Sequence, residues 1–169
     1  MIRLRPFKPA DSQIICQWFN DEKAFRKWCI DKFDFPLTAK QLCERNDEFL
    51  ETQDCWYMTA LDDMGKVCGS FIFRMADYEK NSIHMGFIVL SPDYRGKGMG
   101  SKMVKAAVKY AFDTLGMKRV TLGVFENNPA AVNCYKSAGF RVEKFYENVF
   151  EYKDEKWNLF DMACEKENL

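Results

Sequence analysis

Residues Ile83 to Gly100 read IHMGFIVLSPDYRGKGMG. Phe87, Ile88, Val89 and Leu90 form an apolar run without alternation, the pattern of a strand covered on both faces. Ser91-Pro92-Asp93 stops that strand, because proline brings no N–H and aspartate favours turns. Arg95-Gly96-Lys97-Gly98-Met99-Gly100 then leads into a segment of helical period. The first amides of a helix lack internal partners and the dipole there favours an anion. Glycines let a phosphate come close to the backbone, and Arg95 and Lys97 add charge. The stretch therefore predicts a phosphate-bearing ligand held at a strand-to-helix turn.

Two common phosphate loops are excluded. No window fits G-x-x-x-x-G-K-S/T. The dinucleotide pattern G-x-G-x-x-G fails at Ser101 when started from Gly96, and at Met103 when started from Gly98. What fits is R-x-x-G-x-G, on Arg95, Gly98 and Gly100.

Composition bounds the rest. The chain has 169 residues, 47% of them apolar and 30% charged, as expected of one globular domain over residues 1–169. Lys+Arg and Asp+Glu each total 25, and this balance argues against a nucleic-acid protein. No apolar run approaches the roughly 18 residues of a membrane span, and no signal-peptide pattern is visible, so the expected location is cytoplasmic. The seven cysteines include no C-x-x-C pair, which suits scattered reduced thiols. With His84 the single histidine, no metal site built on histidines is expected.

In chain order, Ile2 to Phe7 alternates as a short strand. Asp11 is a candidate cap for a helix carrying Ile14, Ile15, Trp18 and Phe19. Asp21 to Ile30 predicts a second helix with Phe25, Trp28 and Cys29 inward. Phe33 to Leu37 reads as a loop, and Thr38 caps a third helix carrying Leu42, Phe49 and Leu50. The dense aromatic residues here are expected to fill a core rather than line a pocket. Cys55–Leu61 and Lys66–Met75 form an antiparallel hairpin around Asp62–Gly65. The central strand follows, then a helix from about Gly98 to Leu115 with Met103, Ala107 and Ala111 on its apolar stripe. Arg119 to Phe125 is a strand parallel to the central one, since a helix joins them. Asn128-Pro129 opens a last helix with Ala131, Val132, Tyr135 and Ala138 inward, closed by Gly139. Phe140–Tyr152 and Trp157–Cys164 make a final hairpin. The fold class is α/β, a mixed sheet of about seven strands flanked by helices.

This order, the Arg95–Gly100 loop, and Asn128-Pro-Ala-Ala-Val-Asn-Cys-Tyr135-Lys-Ser-Ala-Gly139-Phe140 together resemble the GNAT superfamily of acetyl-CoA-dependent N-acetyltransferases. The second segment matches the superfamily pattern N-x-x-A-I/V-x-x-Y-x-x-x-G-F. Leu4-Arg5-Pro6-Phe7 with Asp11 is similar to the ribosomal-protein N-terminal acetyltransferases, and the final hairpin to spermidine acetyltransferases. The resemblance implies acetyl transfer from acetyl-CoA to a primary amine: a protein N-terminus, a polyamine or another small amine. A second expectation is a non-catalytic CoA-binding regulatory module. Related proteins also make a homodimer possible.

The resemblance assigns roles by position. Arg95, Gly96, Lys97, Gly98, Gly100 and Ser101 would hold the pyrophosphate, and Asn128 would cap its helix or meet the cofactor. Ile88, Val89 and Leu90 would act through their backbone. Tyr135 would protonate the leaving sulfur, as a phenol that stays protonated at neutral pH can. His84 stands where the family often has a glutamate base, in His84-Met85-Gly86-Phe87. An imidazole can accept a proton at neutral pH, and water can replace a direct base. By period two His84 shares a face with Gly86, Ile88 and Leu90, and Gly86 hints at a bulge. Asp21, Glu22, Asp31 and Asp34, near the first helices, could draw in a cationic amine.

Overall fold

The computed structural model describes residues 1–168. It contains one seven-stranded sheet in the order β1-β2-β3-β4-β5-β7-β6. The strands are β1 (Arg3–Pro6), β2 (Trp56–Leu61), β3 (Val67–Asp77), β4 (Ser82–Leu90), β5 (Arg119–Phe125), β6 (Arg141–Tyr152) and β7 (Glu155–Glu165). Only β4 and β5 run parallel, and all other neighbours are antiparallel. The helices are α1 (Ser12–Ile15), α2 (Glu22–Cys29), α3 (Ala39–Leu50), α4 (Met99–Asp113) and α5 (Pro129–Ser137).

Two apolar layers clasp the sheet. On one face Ile15, Phe25, Cys29 and Leu42 from α1–α3 pack on Tyr57, Ile72 and Val89. On the other, Val104, Ala107, Val108, Ala111 and Phe112 of α4, with Val132 and Tyr135 of α5, cover Phe71, Phe73, Met85, Val120 and Leu122. Val67 to Phe73 is buried residue by residue, because both faces of that central strand are covered. Among the described residues no helix is long and apolar enough to cross a membrane.

The first helix departs from expectation. The segment predicted as one helix beyond Asp11 is the single turn α1 followed by a 3₁₀ turn (Cys16–Trp18), and another 3₁₀ turn (Pro9–Asp11) precedes it. Asp11 caps nothing by its side chain at α1. Its carboxylate, 4% exposed, instead takes the fork of Arg5 at 2.7 and 2.8 Å and the hydroxyl of Thr59 at 2.8 Å. The partly buried ion pair turns the carboxylate away from α1, and Oδ2 accepts instead from the Lys8 amide at 2.9 Å, across the preceding turn. Ile14 is left half exposed. Leu50, expected inward, is 74% exposed at the last turn of α3. Asp21 and Thr38 do cap α2 and α3, accepting from the amides of Ala24 and Gln41.

The larger correction lies in β4. Ile72 pairs with Gly86 and Ser70 with Val89, so one residue of β3 faces two of β4. The bulge places Phe87 at φ 45°, in the left-handed region. The extra residue reverses the alternation beyond it. Val89 therefore shares a face with Gly86 and His84 and packs on the α1–α3 side. Ile88 and Leu90, expected beside His84, point to the α4 side. Phe87, Ile88 and Leu90 are also only partly buried, because the next strand leaves them uncovered.

Candidate active site

The parallel pair β4–β5 is bonded only over Ser82↔Arg119, Ile83↔Val120 and His84↔Thr121. Past that point β5 continues with β7 and β4 with β3, and the two strands part. Their separation opens a cleft of about 750 Å³. Its floor is Met85 to Leu90 with Gly123 and Val124, and one wall is α5 with Asn128, Cys134 and Tyr135. The other wall is Trp18 to Asp21 and α2, including Lys23, Lys27 and Trp28. Backbone N–H and C=O groups in such a parting are free to pair with an extended ligand carrying amides.

At one end stands the start of α4. Gly96 and Gly98 have φ 72° and 71°, conformations an L side chain adopts at a cost. Gly98 is the cap residue and brings no side chain to the free amides, and no acid stands in the first turn. The turn is thus left as an anion site. Arg95 and Gly96 line the cleft. The Arg95 Nε donates to the Leu90 carbonyl at 3.0 Å, and its burial lowers its proton affinity from the usual arginine value. The Lys97 Nζ donates to the Asp93 carbonyl at 2.8 Å. Ser101 faces Ser137, with hydroxyl oxygens 3.0 Å apart. A Cβ on Gly100 would stand 3.1 Å from the Cys134 sulfur, so glycine here permits the close approach of α5. The Tyr94 hydroxyl donates to Asp62 at 2.6 Å, tying the loop to the β2–β3 turn.

Of the residues expected to meet cofactor, Ile88, Val89, Leu90, Arg95, Gly96 and Asn128 line the cleft. Lys97, Gly98, Gly100 and Ser101 build the turn behind it. Asn128 also caps α5, accepting from the Ala131 amide at 3.4 Å, the first of its two expected roles.

Tyr135 lines the cleft from α5 and is 7% exposed. Burial first, then the nearby Cys134, hold its phenol above the ordinary tyrosine range, so it remains a proton donor. His84 lies one step deeper, at the last rung of the β4–β5 ladder and outside the cleft lining. Its Nδ1 is 3.0 Å from the Thr121 hydroxyl oxygen. Burial, and secondarily the charge of Arg74, lower its pKa to about 4. Cys134 lines the cleft, but burial raises its thiol, so it is no thiolate nucleophile.

The acceptor wall was least visible in the sequence. Trp18, Phe19 and Trp28 belong to the α1–α3 core and also line the cleft. Trp28 stacks on Phe33 and meets Phe87 at 5.4 Å. The i, i+4 spacing of Lys23 and Lys27 on α2 was the available signal for the second pair of lining residues. Of the four acids expected near the mouth, only Asp21 lines it.

A sequence model of the Acetyltransferase (GNAT) family matches residues 14–140. The chain is 27% identical over 147 residues to the spermidine N(1)-acetyltransferase of Escherichia coli (strain K12), a match that spans 84% of this chain and 74% of that protein. The thialysine N-epsilon-acetyltransferase of Sus scrofa is 34% identical over 73 residues, 43% of this chain and 42% of that one. Among solved structures, the spermidine N-acetyltransferase from Vibrio cholerae in complex with CoA and spermine superposes with a TM-score of 0.85. That match is at 20% identity and covers 99% of this chain and 96% of the other. At that identity the likeness concerns the fold.

Proposed function

We propose, from the premise that this chain belongs to the acetyltransferase (GNAT) family, that the cleft between β4 and β5 brings acetyl-CoA against a primary amine. The protein is an acetyl-CoA-dependent N-acetyltransferase. The observation that carries the site assignment is the parting of β4 from β5 immediately beside the uncapped turn Arg95–Ser101.

In this reading the α4 amides, with Arg95, hold the diphosphate, and free backbone groups of Ile88–Leu90 pair with the pantetheine amides. An amide of β4 donates to the carbonyl oxygen as negative charge develops there. Tyr135 gives its proton to the departing sulfur. The attacking amine, with pKa about 10.4 for a lysine-like group, must first lose a proton. His84 is neutral at pH 7. In the tautomer that donates from Nδ1 to Thr121, its Nε2 keeps a lone pair. Its low proton affinity suits a relay that passes the proton on to solvent rather than storing it. The non-catalytic reading is disfavoured, because the relatives the chain matches are amine acetyltransferases.

The acceptors of the relatives put spermidine, spermine and thialysine first among amines to test, followed by peptide N-termini. The test is release of CoA from acetyl-CoA with this panel, with the product identified by mass. Acetylation of a primary amine is expected. No CoA release with any amine, from protein that still gains thermal stability from CoA, would return the assignment to a binding module.

A further inference from the structure

We infer that Tyr94 and Asp62, which both lie outside the cleft, are positioning residues that hold the diphosphate loop in its binding shape before CoA arrives. This rests on the acetyltransferase reading and deepens its coenzyme site.

The loop has little of its own to fix it. Gly96 and Gly98 give its backbone a freedom that ordering must remove. Its internal bonds are local: the Tyr94 and Arg95 amides donate to the Ser91 and Pro92 carbonyls, and the Arg95 and Lys97 side chains to Leu90 and Asp93. Three links lead outward. The Ser91 amide donates to the Cys68 carbonyl at 2.8 Å, which fixes where the loop begins. The Lys66 Nζ is 3.6 Å from Asp93, but these side chains are 63% and 73% exposed, and such a pair adds little. The third is the Tyr94 hydroxyl on the Asp62 Oδ2 at 2.6 Å, one residue before Arg95. A bond of that length to a carboxylate is of the strong, charge-assisted kind.

Asp62 is itself anchored. It is buried, and its Oδ1 accepts from the Met64 and Lys66 amides at 3.0 and 2.8 Å, which leaves Oδ2 for Tyr94. Arg3 of β1 donates to the Asp62 and Asp63 carbonyls at 3.3 and 3.2 Å. The β2–β3 turn is thus braced from β1 and presents its carboxylate at a fixed place. The Tyr94 ring packs against the cluster of Ala60, Cys68 and Met103, and Met103 of α4 lines the cleft. The hydrogen bond to Asp62, first among several causes, holds the Tyr94 phenol up at about 12. The same bond holds the Asp62 carboxyl below its usual range, so the link persists across neutral pH. Neither residue lines the cleft, so any effect on CoA passes through the loop. A loop already in its bound conformation loses less entropy when the ligand arrives.

Tyr94→Phe keeps the ring and removes the hydroxyl. The Kd for CoA, read by calorimetry, and KM for acetyl-CoA are expected to rise about tenfold, the low end for hydrogen bonds to charged groups. The kcat at saturating acetyl-CoA and KM for the amine should shift by less than about twofold. In the free protein, amide hydrogen exchange from Gly96 to Ser101 should quicken. Asp62→Asn keeps an oxygen for the turn amides and offers Tyr94 an N–H, so its loss of CoA affinity should be about threefold. Adding it to Tyr94→Phe should cost little more. A Tyr94→Phe protein that melts earlier yet binds CoA as tightly as wild type overturns the inference and leaves the acetyltransferase intact. So does unchanged exchange in the loop, or a loss that is fully additive in the double variant. Should Tyr94→Phe not fold, unchanged CoA affinity in Asp62→Asn overturns it instead. A wild-type protein that binds no CoA overturns the reading of the coenzyme site and this inference with it.

Discussion

The His84 ring nitrogen Nδ1 and the Thr121 hydroxyl oxygen lie 3.0 Å apart across the final rung joining β4 to β5. The contact sits at the apex of the cleft: below it the strands are bonded, above it they are not. The residue read from sequence as a base therefore also holds the point where the sheet divides.

The single histidine makes the first prediction clean. Its pKa falls from the ordinary 6.5 to about 4, through burial first and Arg74 second. The unfolded chain binds this proton below about pH 6.5 and the native chain does not. The stability contribution is therefore whole above pH 6.5 and declines as pH falls towards 4, by about 3 kcal/mol. Proton NMR should show one imidazole titrating near 4, and Arg74→Gln should move it upward. Titration near 6.5 in the native protein would refute the burial of this group.

Tyr135→Phe should lower kcat by on the order of a hundredfold, the lower range for a lost general acid, while KM for acetyl-CoA changes less than about twofold. Because burial raises this phenol, the wild-type rate should show no alkaline loss from Tyr135 below about pH 10. Steady-state kinetics across pH checks both. A hydroxyl that merely packs would leave kcat unchanged.

Gly98→Ala places a side chain at φ 71°, where space is open but the backbone is disfavoured. The strain costs about 1–2 kcal/mol, and any relaxation rotates the first-turn amides of α4. The expected signs are a higher KM for acetyl-CoA and a smaller rise in melting temperature on adding CoA. Equal thermal shifts in variant and wild type would move the diphosphate elsewhere.

Asp11→Asn removes the charge that Arg5 meets at 2.7 Å and turns one of the two oxygens accepting from its fork into an NH2 donor. Burial pushes the Asp11 carboxyl up, but Arg5, the Lys8 amide and Thr59 together bring it below its usual value. Denaturant unfolding should report a loss of about 3 kcal/mol, as for other broken ion pairs of low exposure. An unchanged midpoint would show that the pair contributes no net stability.

The two glycine-bearing segments were legible because their chemistry is local. A loop that must run Gly96 and Gly98 at positive φ, or a helix opened by Asn128-Pro129, states its geometry in its own residues. The bulge at Phe87 was not legible. Gly86 marked the neighbourhood, but the extra residue is defined by pairing with Ile72 and Ser70 of another strand. Its effect was to exchange the faces of Val89 and its neighbours. The first helix failed for a similar reason. Ile14, Ile15, Trp18 and Phe19 have helical spacing, yet Arg5 and Thr59 claim the capping carboxylate from outside the segment.

The placement of β7 between β5 and β6 has a consequence for biosynthesis. Every residue of β5 from Arg119 to Phe125 takes a partner on β7, from Glu165 back to Leu159. A growing polypeptide can assemble β1 to β4 with α1 to α4 as soon as they leave the ribosome. One bank of the cleft stays unsupported until Glu155–Glu165 emerges and slides in beside it. Chains stalled before that strand are expected to expose β5 to chaperones and to bind no coenzyme.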